Sequence, residues 1–401
     1  VSEIVTPARV PAAPAGLAEP IGMYLHVPFC AHICPYCDFN TYAGDAQLAL
    51  VPRYVEALRR EIVRQGEEHG CPAAGTVFIG GGTPSLLTPE QIGAVIDACR
   101  EGFDVAPDAE VSMEANPNGL DAATAAGFLA AGVTRLSLGV QTVHRRGLRT
   151  LGRQHEAEDA RAAYVAAREA GFTSVSLDLI FGWPGQTVDG WRDDLDTVLA
   201  WPGGGPDHLS LYSLIVEPGT PFADAVARGI MRPLDDDASA DLYEMAMARL
   251  GKAGFEHYEV ANWARTPADR SRHNVTYWRN GSWAGIGAGA HGQWPGRREL
   301  QHLLPRTFIE AVEAGQSPVS NVDEVTPRMA MGETMMLGLR LIQDGVGEDA
   351  FAARHGLSLA DAFGDTVEGL EAMGLLARDR GRVRLTPRGL MVANDVCVRF
   401  L

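Results

Sequence analysis

From Gly22 onward the chain alternates one short apolar run with one stretch of helical spacing, a pattern that predicts parallel βα construction. Strands are expected at residues 22–27, 76–79, 110–114, 134–140, 174–180 and 208–214. Between the first two, Tyr54, Leu58, Ile62 and Val63 recur at helical spacing and predict a helix over 52–67. Thr88-Pro89-Glu90-Gln91 places an N-cap, a first-turn proline and a glutamine at the third helical position, so a capping box opens the helix that runs to Cys99. Asp121 caps an alanine-rich helix closed by Gly132, and further helices are expected over 156–170 and 191–200. The segments Ala131-Gly-Val-Thr-Arg-Leu-Ser-Leu138 and Ala170-Gly-Phe-Thr-Ser-Val-Ser-Leu177 read as one helix-Gly-strand unit used twice. Equivalent units favour a barrel over a Rossmann sheet.

The pattern is less regular from Glu217 to about residue 300. A helix is expected over 235–250 and a strand over 255–260. The run Gly285-Ile-Gly-Ala-Gly-Ala-His-Gly292 looks like a dinucleotide loop but lacks a βαβ frame, and is read as a tight packing loop. Past residue 325 the spacing predicts helices over 328–342, 349–355 and 359–373, then β-runs at 375–378 and 382–386 joined through Asp379-Arg-Gly381. Three helices and a small β-wing suggest a winged-helix-like module.

Charge narrows the choice of partner. A formal net charge of −17 leaves little basic surface to neutralise phosphate, so no nucleic-acid partner is expected, and the module is read as covering the barrel or docking a protein. Cys71, Cys99 and Cys397 are scattered and form no disulfide framework, which fits a reducing cytoplasm. No apolar run approaches the roughly 18 residues of a membrane span. Residues 1–20 are Ala/Pro-rich without the basic and apolar regions of a signal peptide, and are read as a disordered tail.

The chemistry centres on Cys30-Ala-His-Ile-Cys34-Pro-Tyr-Cys37. Three thiols at this spacing can converge on one metal centre. Structural zinc wants four protein ligands, so His26 or His32 would have to complete the set. Cys34-Pro-Tyr-Cys37 alone could instead be a redox pair. A [4Fe-4S] cluster on three thiolates would leave one iron open to a ligand from outside the chain. Gly80-Gly-Gly-Thr83-Pro84, after the second strand, is a backbone able to lie against a small polar ligand.

The spacing C-x3-C-x2-C with an aromatic before the third cysteine, followed by GGGTP, resembles the radical S-adenosylmethionine (SAM) superfamily, and within it the coproporphyrinogen-oxidase-like branch that includes HemW-type heme chaperones. The resemblance spans the chain from about Gly22 and implies an α/β fold: a partial (β/α)6 radical SAM barrel over residues 21–230, an extension over 231–324, and the winged-helix-like domain over 325–401. It implies Cys30, Cys34 and Cys37 as cluster ligands, with SAM on the open iron. It further implies Tyr24, Tyr36, Gly81, Gly82, Thr83, Glu114, Gln141, Arg153 and Asp178 as SAM contacts, in a branch where two SAM molecules can bind. An internal ion pair of Arg153 with Glu114 or Asp178 is the structural alternative. His273-Asn274-x-x-Tyr277-Trp278 matches the run that marks HemW-like sequences, with His273 as a heme ligand; Met329, Met331, Met335 and Met336 are read as core filling. The implied activity is heme carriage to acceptor proteins, with an electron donor if the cluster is reduced and transient membrane contact where acceptors are membrane proteins. Oxygen-independent coproporphyrinogen III oxidation is the alternative. It is disfavoured because the oxidases carry another cysteine where this chain has Phe39. A radical SAM methyltransferase is a further alternative without a motif of its own.

Overall fold

The computed structural model describes residues 19–401, so the expected tail lies outside the described residues up to residue 18. In chain order, β1 (Ile21–Val27), α1 (Val51–Glu68), β2 (Ala73–Gly81), α2 (Pro89–Gly102), β3 (Asp104–Ala115), α3 (Ala122–Ala131), β4 (Arg135–Gln141), α4 (Ala157–Ala170), β5 (Ser174–Phe181), α5 (Val188–Leu199) and β6 (His208–Ser213) alternate as expected. The six strands are adjacent and parallel in sequence order. Then follow α6 (Asp236–Lys252), β7 (Glu256–Glu259), β8 (Asn262–Ala264), α7 (Arg272–Trp278), β9 (Trp283–Ile286), β10 (His291–Trp294), β11 (Arg297–Gln301), α8 (Pro305–Glu313) and β12 (Val319–Glu324). Together they make one 12-stranded open sheet, ordered β12-β11-β10-β9-β1-β2-β3-β4-β5-β6-β8-β7.

Period-2 alternation decides what each face does. On β1, Met23, Leu25 and Val27 are buried in the same core as Tyr54, Leu58 and Ile62 of α1. The intervening Gly22, Tyr24 and His26 face the interior of the curled sheet, where Tyr24 stacks on Phe78 and Gly22 lies against the His273 ring. The local signals behave as read. Thr88 makes a full capping box with Gln91, and Asp121 accepts the Thr124 N–H. Gly132 and Gly171 close α3 and α4 at φ 107° and 104°, a left-handed cap that glycine adopts without a Cβ clash. The twice-used unit is thus one structural device.

Two departures matter. The Gly285–Gly292 run is half strand: β9 adds a seventh parallel strand on the free edge of β1, and β10 returns antiparallel. A side chain on Gly285 would run into the His291 carbonyl, so the glycine permits this close return. The helix expected to reach residue 342 stops at Gly338, because the chain turns there to form a strand not foreseen at Val346–Gly347.

The C-terminal region runs α9 (Pro327–Gly338), β13 (Val346–Gly347), α10 (Glu348–His355), α11 (Leu359–Ala372), β14 (Leu376–Asp379) and β15 (Arg382–Leu385). Helix, strand, helix, helix, strand, strand, with β15 between β13 and β14, is a winged-helix order. The wing turns through Arg380 and Gly381 at φ 52° and 71°. Its separate apolar core includes Met335, Phe351 and Phe400. Met331 and Met336 pack against it, whereas Met329 is 43% exposed and is not core filling.

Candidate functional site at the strand C-termini

The cysteine loop leaves the C-terminal end of β1 and is clamped from both sides. Phe29–Cys30 pairs with Tyr42–Ala43 as a short parallel ladder. The Gly82 and Thr83 N–H groups bond the Val27 and Phe29 carbonyls at 2.8 Å each, and the Thr83 hydroxyl reaches Cys30 Sγ at 3.5 Å. A Cβ on Gly82 would lie 2.6 Å from the Phe29 carbonyl, so the close approach needs glycine. Farther along, the Cys37 N–H bonds the Cys34 carbonyl, and the Pro35 carbonyl receives the Phe222 N–H. Tyr36 packs edge-on to Phe222.

Arg153 ties the loop to β4: one guanidinium nitrogen lies 3.7 Å from Cys34 Sγ and another donates to the Gly139 carbonyl at 3.0 Å. Its Nε is buried and without a partner among the described residues. No ion pair joins Arg153 to Glu114 or Asp178 among the described residues, so the structural alternative for it does not hold. Gln141 sits at φ 66°, in the left-handed region, where β4 breaks register with β5, and its amide lies beside Gly139 next to Arg153. This unusual backbone at a strand end turns the amide toward the mouth.

Two carboxylates complete the rim. Glu114 accepts the Gly81 N–H at 3.0 Å. Burial, and then the neighbouring Asp178, push its pKa up to about 8 against that hydrogen bond. Asp178 accepts the Ser137 hydroxyl at 2.9 Å, and burial raises it to about 6 although Ser210 and Ser137 oppose this. Tyr24 lies within the electrostatic reach of Glu114. The structure therefore gathers Tyr24, Cys30, Cys34, Tyr36, Cys37, Gly81, Gly82, Thr83, Glu114, Gln141, Arg153 and Asp178 around one mouth.

His273 is not brought there. It is 1% exposed under the sheet, stacked on Phe78, with Nδ1 bonded to Thr76 at 2.8 Å and Nε2 to Tyr277 at 2.7 Å. Burial lowers its pKa to about 3. Both ring nitrogens are engaged in this arrangement, so ligation of a heme iron by His273 would require one of these hydrogen bonds to be given up. Nor does His26 complete a zinc site. Its Nε2 donates to the Asn40 carbonyl at 2.9 Å and its Nδ1 accepts the Tyr24 hydroxyl at 2.8 Å. His32 is exposed. Among the described residues no three His, Cys, Asp or Glu side chains form a site for a single metal ion. Three thiols on one loop with no fourth ligand beside them among the described residues is a donor set of the kind that leaves one iron of a larger cluster open.

Sequence reasoning missed Asn40, whose amide bonds the carbonyls of Ala288 and Leu303 and so anchors the loop exit. It also missed Ser137, the Asp178 partner. Strand alternation, which puts Ser137 on the face of Arg135 and Gly139, was the available signal for Ser137; for Asn40 there was none, because its partners lie some 250 residues away.

The Radical SAM superfamily model matches residues 24–198 and the HemN C-terminal domain model residues 325–392. The former carries a capacity for a [4Fe-4S] cluster and SAM. The Heme chaperone HemW of Mycobacterium tuberculosis (strain ATCC 25618 / H37Rv) is 41% identical over 400 residues, covering 98% of each chain. That of Bacillus subtilis (strain 168) is 37% identical over 379 residues, covering 94% of this chain and 98% of its own. The solved structure of coproporphyrinogen III oxidase (HemN) from Escherichia coli, a radical SAM enzyme, shares the fold with a TM-score of 0.81 at 24% identity, over 98% of this chain and 91% of that one. With relatives this similar over their whole length, the chain belongs to the HemW family of the radical SAM superfamily.

Proposed function

We propose that this protein is a heme chaperone, binding heme and passing it to acceptor proteins, with a [4Fe-4S] cluster on Cys30, Cys34 and Cys37 and SAM at the mouth. The observation that carries the reading is similarity over 98% of the chain to a protein named Heme chaperone HemW. The division into a barrel at 21–230, an extension at 231–324 and a C-terminal domain at 325–401 belongs to the same reading. So do a cytoplasmic location, an electron donor for a cluster that is reduced, and transient membrane contact during delivery. No helix among the described residues is long and apolar enough to cross a membrane.

When bound, the cluster supplies an open iron and one-electron chemistry toward SAM. The chain's own residues do the positioning. Gly81, Gly82 and Thr83 offer backbone to the methionine end of SAM, with Tyr24 and Tyr36 beside it. Arg153 Nε is a buried donor in need of an acceptor, such as a carboxylate. Glu114 and Asp178, two carboxyls that resist ionising side by side, favour an amine or sulfonium cation, which relieves their repulsion. Gln141 adds a turned amide at the same rim.

The alternative, coproporphyrinogen III oxidation, shares the scaffold and is set aside because Phe39 occupies the position of the oxidases' additional cysteine. Two assays test the reading together. The chain is expected to bind hemin with a defined Soret band and to show no decarboxylation of coproporphyrinogen III under anaerobic conditions with SAM and reductant. Turnover above a Cys34→Ala control would replace the chaperone reading with the oxidase one.

A further inference from the structure

We infer that the porphyrin docks on the stretch His302-Leu-Leu-Pro-Arg306, whose Leu303, Leu304 and Arg306 are exposed, at the start of α8 beside the exit of the cluster loop. The inference rests on the chaperone reading and adds the surface that holds the heme.

A heme makes three demands: an apolar wall for the macrocycle, an imidazole or similar ligand for the iron, and positive potential for two propionates. Leu303 and Leu304 are 52% and 56% exposed, and Phe39 on the adjoining loop is 66% exposed. The Asn40 hydrogen bond to the Leu303 carbonyl brings the two segments together, and exposed apolar side chains on adjoining segments offer a wall to an apolar ligand. Their backbone is held rigid. Asn40 Nδ2 and the Tyr42 hydroxyl both donate to the Leu303 carbonyl, at 2.9 and 3.1 Å. The Gly289 N–H bonds the His302 carbonyl, and the His302 N–H bonds that of Pro318, both at 2.9 Å. Gly289 stands at φ +84° and any side chain there would run into Asn40, so this joint between loop and stretch is built around a glycine.

The His302 ring is half-buried and has no hydrogen bond among the described residues, unlike the fully engaged ring of His273. An unengaged imidazole beside apolar surface is suited to iron. Arg306 is exposed and makes no ion pair among the described residues. The first turn of α8 holds no acidic residue and no side-chain cap, so its positive end adds to Arg306 as a partner for propionate. Apolar wall, imidazole and cation thus fall within five residues, next to the mouth.

The test is hemin titration of the full chain, read at the Soret band, for wild type, Leu303→Ser/Leu304→Ser, His302→Ala and Arg306→Glu, with Ile230→Ser as a control for an exposed apolar residue elsewhere. All these side chains reach solvent, so folding and iron loading should persist. The double serine variant is expected to bind hemin about tenfold more weakly or worse, His302→Ala to shift the Soret maximum, Arg306→Glu to weaken binding about threefold, and the control to match wild type. Wild type binding with all three variants unchanged overturns this inference alone, as does a patch that alters only heme delivery to a partner protein. A wild-type chain that binds no hemin overturns the chaperone reading and the docking site with it.

Discussion

The inner face of the sheet has two ends built on opposite rules. At the floor, His273 gives both ring nitrogens to Thr76 and Tyr277, Tyr277 packs edge-on to Trp283, and Glu110 takes the His273 N–H. The polar groups of the His273 side chain and its backbone N–H are all engaged there. At the mouth, among the described residues, three thiols share one loop, the Arg153 Nε has no partner, and two carboxyls sit with raised pKa values. A buried polar group left short of partners is unfavourable, so such shortfalls persist where a ligand completes them. The same face thus separates a structural end from a functional one.

The comparison can be broken first at the thiols. Cys34→Ala is expected to lower iron after anaerobic reconstitution from about four atoms per chain to near none. Its effect on the metal-free unfolding midpoint should be small, because Cys34 is only partly buried. Retained iron would remove Cys34 as a ligand. At the floor the reverse is expected. His273→Ala deletes a buried, stacked, doubly bonded ring and should cost roughly 2–4 kcal/mol in chemical denaturation. Hemin affinity should hold if the protein stays folded. Lost heme binding with unchanged stability would return His273 to the functional end.

An effect confined to higher pH belongs to Glu114. Its folded pKa of about 8 lies above the ordinary carboxylate value, so below the ordinary value both states are protonated and the site is neutral in its effect on stability. As pH rises to about 8 the unfolded chain releases the proton while the folded one retains it, and stability falls through that window. Glu114→Gln should therefore raise stability at pH 8 by on the order of 4 kcal/mol, and leave it nearly unchanged at pH 4. Denaturant midpoints at the two pH values decide this. A gain at both would mean the carboxylate is strained for another reason. Added SAM should reduce the gap, since a bound cation favours the ionised pair.

Much of this was legible in the chain because the signals were local. The Thr88 capping box and the Gly132 and Gly171 caps each involve residues within one turn, and each folds as read. The strand β9 was not legible: its four residues become a strand only by pairing with β1, some 260 positions away in the sequence. The surroundings of His273 were hidden for a related reason. An imidazole near tryptophan and tyrosine reads alike whether it closes a floor or holds an iron, and only the register of β1 and β2 over α7 tells them apart. The seam between Asn40 and Leu303 is likewise a long-range fact, invisible in either segment alone.

The central claim is that one iron at the three-cysteine loop is completed from outside the chain. Electron-nuclear double resonance on the reconstituted, reduced protein, with SAM isotopically labelled at its amine or carboxylate, examines that iron directly. Hyperfine coupling to the label is the predicted result. A cluster spectrum indifferent to SAM, or stoichiometric zinc without iron, would contradict the account.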